Sequence, residues 1–455
     1  MNWKKLLTTL MLGLTMSVTS EAALPSVVID KGIFDGGILR VTGIAEVYGD
    51  GEKVSTAILQ YPKELNPKSV SIDDFSVEGK TIEAVCVNAT PEWTKKSVAG
   101  VYVILKFKHE NSAFDGELKP RGGMKNDNRS EKREGGEAPM RSDRKAPDLK
   151  FVVQQTGTVT ALDDTPYMPT MKLIESSTVS CPTIDEFKQL EYTSADGVTM
   201  PYNVCLPRNY SVERQFPMVV FIPDAGANIN EVTTPLFQGN GATIFASSEE
   251  QKKHECIVLA PQYTADLVEK LGMMTTDENV WTPGLELVSE LIFDATKRFS
   301  VDPERIYGTG QSQGGMANIA ISDRYPDFFA AQLLVACQWN VEEMAALKDK
   351  KLWIVVCEGD TKAFPGMNAA VEKWKSLGVN VAVGETFLNS KAPRAELENQ
   401  LKTLEAQGAD INYTVFAGGN HMYTWSFAYD LDELRDWLFR QSIDKPLGIE
   451  PNAED

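Results

Sequence analysis

Residues 310–314 read Gly-Gln-Ser-Gln-Gly, so that Ser312 lies between two glycines at G-x-S-x-G spacing. A short apolar run that ends at Tyr307 predicts a strand before this pentapeptide, and apolar residues at helical spacing predict a helix after it. Strand, sharp turn and helix form the context in which a serine becomes an exposed nucleophile. The pentapeptide alone is equally compatible with a glycine-rich turn that carries an incidental serine.

A serine nucleophile needs a base that titrates near neutral pH, and the chain has only three histidines. His109 and His254 lie next to charged residues in polar stretches and are predicted to be surface residues. His421 lies on a glycine-rich loop directly after the predicted strand at 413–416. His421 is therefore the predicted base, and the alternative is that it caps the helix that follows.

The third member of such a set is an acid that orients the imidazole, and in parallel-sheet hydrolases it lies between the serine and the histidine in sequence. Asp360 follows the apolar run at 352–357 and is predicted to lie just beyond the end of a buried strand. Glu358 is the competing acid, two residues earlier. Asp360 is the predicted partner of His421.

Two backbone amides are predicted to stabilise a developing oxyanion. One is the N–H of Gln313, which directly follows the serine. The other comes from the loop after the predicted strand at 218–222, where small residues let the backbone approach a substrate. The N–H of Ala225 or its neighbour is the candidate there.

Gln338 and Trp339 follow another predicted strand on the same side of the sheet and are the candidate substrate contacts. For Trp339, packing in the core is an equal alternative, while Trp281 and Trp425 are predicted to be packing residues. The sequence contains no metal-ligand spacing, phosphate-binding loop or cofactor motif. We therefore predict no metal and no cofactor.

The distribution of apolar residues predicts two domains. Residues 23–162 contain short alternating runs separated by turn residues, which predicts a β-sandwich. Residues 183–445 contain nearly continuous apolar strands that alternate with helical stretches, which predicts a mostly parallel sheet covered by helices. Residues 120–147 are rich in charge and are predicted to be a mobile loop of the sandwich. Residues 163–182 are the predicted linker and 446–455 a tail.

Residues 1–22 have a positive start, a short apolar core and small residues at a cleavage site, which predicts a signal peptide and a secreted or periplasmic protein. The apolar core is too short for a membrane anchor, so no membrane insertion is expected. Five of the six cysteines lie in apolar runs that suit buried thiols, and no disulfide pairing is predicted. The net charge of −19 argues against non-specific nucleic-acid binding. The oligomeric state stays open, a homo-oligomer included.

The segments 217–222, 302–315, 352–360 and 419–425 together resemble the α/β-hydrolase superfamily. Within it they are most similar to secreted bacterial esterases and predicted peptidases of the polyhydroxybutyrate-depolymerase and feruloyl-esterase type. Residues 69–79, Ser-Val-Ser-Ile-Asp-Asp-Phe-Ser-Val-Glu-Gly, resemble the immunoglobulin-like domain that precedes the catalytic domain in a group of bacterial esterases. The resemblance implies a serine carboxylesterase that acts on a small ester through Ser312, His421 and Asp360.

Two departures from this family are visible in the sequence. Pro223-Asp224 stands where relatives commonly have His-Gly, and Gln311 and Gln313 stand where leucine and methionine are common. The glutamines predict a more hydrophilic site, and surface-loop variation explains them equally well. A serine peptidase, a feruloyl or acetyl esterase acting on polysaccharide, and a non-catalytic binding protein of the same fold stay open as alternatives.

Overall fold

The computed structural model describes residues 37–109, 111 and 146–443. The predicted signal peptide, residues 120–145 of the predicted charged loop and the predicted C-terminal tail lie outside the described residues.

The N-terminal region is a β-sandwich with a five-stranded sheet in the order β10-β1-β2-β5-β4 and a three-stranded sheet in the order β3-β6-β9. Its strands are β1 (Arg40–Tyr48), β2 (Gly51–Leu65), β3 (Phe75–Val77), β4 (Ile82–Asn88), β5 (Gly100–Phe107), β6 (Val152–Gln155), β7 (Val159–Thr160), β8 (Pro166–Tyr167), β9 (Ile174–Glu175) and β10 (Thr178–Ser180). Leu59 and Val103 from the first sheet pack with Val77 and Val153 from the second in one apolar cluster. This shared core joins the sheets because alternate residues of each strand face inward.

Residues 163–182 were predicted to be a linker, and the structure corrects this prediction. Three short strands lie in this segment: β8 pairs with β7, β9 with β6, and β10 runs parallel to β1. Their brevity explains the error, because two- and three-residue strands carry no periodicity that a sequence pattern could detect.

The second region contains a nine-stranded sheet in the order β11-β12-β14-β13-β15-β16-β17-β19-β18. Its strands are β11 (Lys188–Thr193), β12 (Thr199–Cys205), β13 (Phe216–Ile222), β14 (Ile257–Pro261), β15 (Val301–Gln311), β16 (Ala331–Val335), β17 (Leu352–Cys357), β18 (Val381–Val383) and β19 (Ile411–Phe416). β12 is antiparallel to both β11 and β14, and every other pairing is parallel. The prediction of a mostly parallel sheet is confirmed.

Helices cover both faces of this sheet. They are α1 (Pro182–Asp185), α2 (Thr234–Phe237), α3 (Thr243–Ala246), α4 (Ser248–Lys253), α5 (Ala265–Leu271), α6 (Pro283–Arg298), α7 (Gln313–Arg324), α8 (Val341–Met344), α9 (Ala363–Ser376), α10 (Arg394–Glu405), α11 (His421–Ala428) and α12 (Asp432–Phe439). Along β13, Met218 and Val220 belong to one apolar cluster while Val219 and Phe221 belong to the other. Two cores therefore enclose the sheet, which explains why β13, β14 and β17 are apolar along their whole length. Among the described residues, no helix combines the length and the apolar character that crossing a membrane requires.

The sandwich contacts the second region through the turn between β1 and β2 and through Asn111, which follows β5. Asn111 Nδ2 donates to the backbone carbonyl of Ser426 at 2.9 Å, and Gly49 packs against the backbone of the same residue. A Cβ atom at Gly49 would lie 2.4 Å from that carbonyl oxygen, so only glycine fits. Ser426 belongs to α11, the helix that begins at His421.

Replacing Gly49 by alanine is expected to destabilise the protein by about 1–3 kcal/mol, because the added methyl group overpacks this contact. A shift of the urea-unfolding midpoint measures the loss. Gly384→Ala is the matched control, because a Cβ there would meet nothing closer than 3.4 Å. Equal midpoints for the two variants would contradict a tight contact at Gly49.

Candidate active site

Ser312 lies at the sharp turn between β15 and α7, with φ of 52° and ψ of −119°. This conformation is costly for a residue with a side chain, and such residues are held in place by their surroundings. The flanking glycines make the turn sterically feasible. A Cβ at Gly314 would lie 1.8 Å from the carbonyl oxygen of Ile222, and a Cβ at Gly310 would lie 2.5 Å from it. The turn is therefore packed directly against the end of β13.

His421 and Asp360 complete a hydrogen-bonded chain with Ser312. His421 Nε2 lies 2.8 Å from Ser312 Oγ, and His421 Nδ1 lies 2.5 Å from Asp360 Oδ2. The three residues follow β15, β17 and β19, whose carboxyl ends meet at one edge of the parallel sheet. The structure thus brings together the serine, the histidine and the acid that the sequence analysis singled out.

Asp360 is buried, with 2% of its side chain exposed, whereas 43% of the His421 side chain is exposed. Burial by itself would raise the pKa of Asp360, but hydrogen bonds outweigh it and hold this pKa below its ordinary value. His421 provides one of these bonds, and the backbone N–H groups of Lys362 and Ala363 donate to Asp360 Oδ1 at 3.0 Å each. Asp360 is therefore an anion across the neutral range, fixed in one orientation.

Glu358, the competing acid, has a different role. Its Oε2 accepts a hydrogen bond from the backbone N–H of Gly418 at 3.0 Å, and the side chain is exposed. The backbone N–H of Gly359 also donates to the carbonyl of Gly418 at 2.9 Å. These bonds join the loop after β17 to the glycine-rich loop before α11, which positions His421 over Asp360.

The residues that carry the two candidate oxyanion amides line the same cavity as Ser312. Gln313 is the first residue of α7, and the N–H groups in the first turn of a helix have no acceptor within the helix. Ala225 begins a short 3₁₀ turn after β13 and lines the same cavity as Ser312. Asp224 precedes that turn, and its Oδ1 accepts from the N–H of Gly226 at 2.7 Å.

A cavity of about 670 Å³ opens above Ser312. This volume is in the range that accommodates a small organic molecule. Its apolar wall contains residues from three separate segments: Leu271, Met273, Pro283, Met316, Ala336 and Cys337. Asp277 and Lys362 at the rim form an exposed ion pair at 2.7 Å, which links the loop before α6 to the loop before α9.

The two predicted substrate contacts have different locations. Gln338 lines the cavity. Trp339 does not, and this corrects the prediction: it is 2% exposed, and its indole N–H donates to the carboxylate of Glu343. Ala336 explains the difference, because its positive φ of 48° redirects the chain directly after β16. Trp281 also serves packing, with its ring beneath the guanidinium of Arg324 at 4.5 Å.

Cys337 is the other nucleophile type in the cavity wall. It is buried, and burial together with the charge of Asp360 raises the pKa of its thiol far above the ordinary value. A protonated thiol is a poor nucleophile. The six cysteines all lie in the described part of the chain, and each is buried and free of a disulfide.

Gln311 and Gln313 make buried hydrogen bonds that the sequence does not predict. Gln311 is 2% exposed and does not line the cavity, so it does not make the site more hydrophilic. Its amide donates to Asp224 Oδ2 at 3.0 Å, while the amide of Gln313 accepts from Asn228 Nδ2 at 3.0 Å. The two departures that the sequence shows, one at Asp224 and the other at Gln311, are therefore in contact.

One group of potential metal ligands occurs among the described residues. Glu250, His254 and Asp436 each offer a ligand atom, and these atoms lie within 4.8 Å of one another. His254 Nε2 is 2.8 Å from Asp436 Oδ1, and Glu250 Oε2 accepts from Arg435 at 3.0 Å. None of these residues lines the cavity above Ser312. The arrangement is that of an ion-pair network between α4 and α12.

Comparison with known protein families identifies the first region. Residues 40–168 match the model of the esterase Ig-like N-terminal domain. The N-terminal sandwich is therefore similar to the immunoglobulin-like domain of esterases. The predicted resemblance of this region is confirmed. No curated protein matches the chain.

One solved structure superposes on most of both regions of this chain. The crystal structure of a thermostable esterase superposes with a TM-score of 0.68 and 22% identity, covering 89% of this chain and 100% of that one. The two chains therefore share a fold. A feruloyl esterase module from Clostridium thermocellum covers 60% of this chain and 93% of its own, with a TM-score of 0.38 and 14% identity. A prolyl endopeptidase covers 64% and 44%, with a TM-score of 0.37 and 12% identity. These two TM-scores are too low to support any further conclusion.

Proposed function

We propose that this protein is a serine carboxylesterase of the α/β-hydrolase type. The observation that carries the proposal is the hydrogen-bonded chain of Ser312, His421 and Asp360 at the base of the cavity. The esterase-type domain at residues 40–168 supports an ester substrate over an amide. The predicted signal peptide supports a site of action outside the cytoplasm.

In the proposed reaction, Ser312 Oγ attacks the ester carbonyl carbon while its proton passes to His421 Nε2. The imidazolium that forms is stabilised by the carboxylate of Asp360. The N–H groups of Ala225 and Gln313 donate to the oxygen that becomes negative. As the tetrahedral intermediate collapses, His421 gives the proton to the leaving alcohol. Water then releases the acid from the acyl-enzyme by the same steps in reverse.

Turnover of chromogenic esters tests this function directly. The protein is expected to hydrolyse p-nitrophenyl esters of short acyl chains with kcat on the order of 10 s⁻¹. A panel of longer acyl chains, feruloyl esters and peptide amides ranks the substrates. Negligible ester turnover with robust amide cleavage would instead indicate a peptidase.

Covalent labelling locates the nucleophile without knowledge of the natural substrate. A fluorophosphonate is expected to modify the peptide that contains Ser312, and mass spectrometry of the digested protein measures this. Modification of a different serine would overturn the assignment of Ser312.

A further inference from the structure

The loop that carries Ala225 is attached to the turn around Ser312 by two side-chain pairs. Gln311 Nε2 donates to Asp224 Oδ2 at 3.0 Å, and Asn228 Nδ2 donates to Gln313 Oε1 at 3.0 Å. The partners are 87 and 85 residues apart in sequence. All four residues are buried, at 8% exposure or less. Water therefore competes little for these hydrogen bonds.

The Asp224–Gln311 and Asn228–Gln313 pairs lie at the two ends of the turn that carries Ala225. Asp224 and Asn228 bracket the turn from 225 to 227, so both ends of this turn are held against the residues that flank Ser312. Two more glutamines support the loop. Gln238 Nε2 donates to Asp224 Oδ2 at 2.6 Å, and Gln262 Nε2 donates to the carbonyls of Ala227 and Ile229. Three buried glutamines (Gln262, Gln311 and Gln313) and the partly buried Gln238 thus each bind a polar group of this loop.

We propose that the Asp224–Gln311 and Asn228–Gln313 pairs position the oxyanion-binding loop, so that the Ala225 amide is aimed at the oxygen that develops negative charge. This inference rests on the proposed function, since it assigns positioning residues to that same reaction. The physical requirement is strict. An oxyanion donor must lie about 2.7–3.1 Å from the oxygen, and a misplacement of about 1 Å can cost a hundredfold in rate.

The orientation of the side-chain amides of Gln238 and Gln311 allows a decisive test. A carboxylate only accepts hydrogen bonds, so Asp224 turns the NH₂ groups of both Gln311 and Gln238 towards itself. Within the described part of the chain, the Oε1 atoms of these two glutamines are buried and have no hydrogen-bond partner. An asparagine at position 224 would present an NH₂ group to side-chain oxygens at 238 and 311 instead.

Gln311→Glu keeps the side-chain volume but places a second carboxylate about 3 Å from Asp224. Two carboxylates at this distance share one proton at low pH and repel each other once it is lost. We expect kcat to approach the wild-type value in acid and to fall by about tenfold to a hundredfold as pH rises, with KM within about twofold. Tyr429 is a titratable side chain close enough to Asp224 to be affected by its charge, and burial raises the pKa of the Tyr429 hydroxyl, so this group stays neutral in the assay range.

The double variant Asp224→Asn/Gln311→Glu restores a donor and an acceptor with their positions exchanged. It is expected to recover kcat to within about threefold of wild type and to lose the alkaline fall, as a reciprocal hydrogen bond predicts. Gln155→Glu is the matched control, because Gln155 is also fully buried but lies in the immunoglobulin-like domain. It is expected to lower stability without changing the pH profile.

A Gln311→Glu pH profile parallel to that of the wild type would overturn the inference. A folded double variant whose kcat stays at least about tenfold below that of the wild type would overturn it too, and this measurement needs no folded Gln311→Glu protein. If the wild type hydrolyses no ester, the rate at which a fluorophosphonate modifies Ser312 is compared across the same variants. This comparison tests the positioning role even when the proposed esterase activity is wrong. If Ser312 is not phosphonylated either, both proposals are wrong.

Discussion

Ser312→Ala is expected to lower kcat for ester hydrolysis by about 10⁶ while KM changes by less than about threefold. The substitution removes the only atom that forms the covalent bond to the acyl group. The cavity wall, the candidate oxyanion amides and His421 all remain, so binding of the ester in its ground state is retained. Steady-state kinetics on a chromogenic ester, with the enzyme at high concentration, measures both parameters.

Folding should be nearly unaffected by this change. Alanine has to adopt the same positive φ as Ser312, so the backbone strain is unchanged, and only the bond to half-exposed His421 is lost. We expect the free energy of unfolding to stay within about 1 kcal/mol of wild type.

Ser289→Ala is the matched control for Ser312→Ala. Ser289 is fully buried in α6, and its Oγ donates to the carbonyl of Leu285 at 2.9 Å. Its removal is expected to cost about 1 kcal/mol of stability and to leave kcat unchanged. Ester turnover in Ser312→Ala above about 1% of wild type, with the protein free of contaminating hydrolase, would contradict a nucleophilic role.

The contact between Ser312, His421 and Asp360 could be anticipated because each residue follows an apolar strand of a parallel sheet. The carboxyl ends of such strands meet at one edge, so sequence position alone places the three loops together. The chain has only three histidines, so few residues could serve as the base.

The contacts beneath the site could not be predicted in this way. Gln311 and Asp224 are 87 residues apart, and their contact depends on how β13 and β15 pair in register. The sequence does not show whether a glutamine next to the serine is buried or faces the substrate. The sequence could not decide between substrate contact and core packing for Trp339 for a related reason, because a single positive φ at Ala336 decides which way the chain leaves β16.

Asp360→Asn is expected to lower kcat by about 10⁴. Asp360 Oδ2 holds the N–H of His421 at Nδ1, which leaves Nε2 free to accept the serine proton. An asparagine that places its NH₂ group at this position donates to Nδ1 instead. The imidazole then carries its proton on Nε2 and cannot take one from Ser312.

The asparagine cannot avoid this outcome by rotating its amide. In the rotated form its NH₂ group would face the backbone N–H groups of Lys362 and Ala363, which now donate to Oδ1 at 3.0 Å each. Two donor–donor contacts in a buried position cost more than one mismatched contact to half-exposed His421. The wrong tautomer is therefore the stable one. A kcat measurement near neutral pH and the NMR chemical shifts of the His421 ring nitrogens check both parts of this prediction.

The same substitution changes how stability depends on pH. The pKa of Asp360 is lower in the folded protein than in the unfolded chain, so its ionisation stabilises the fold above about pH 4, and this stabilisation is lost on acidification. The asparagine variant lacks this contribution. Its free energy of unfolding is expected to fall less steeply than that of the wild type between about pH 5 and pH 2, measured by urea unfolding across that range.

Glu358→Gln is the control for Asp360→Asn, because it removes the other carboxylate of the same loop. Glutamine can still accept from the N–H of Gly418 through its own oxygen, so the loop contact survives. We expect kcat within about twofold of wild type, because Glu358 does not touch His421. A larger loss from Glu358→Gln than from Asp360→Asn would reverse the assignment of the acid. A loss below tenfold from Asp360→Asn would mean that His421 keeps its reactive tautomer without a carboxylate, and that the geometry of the loop alone orients the ring.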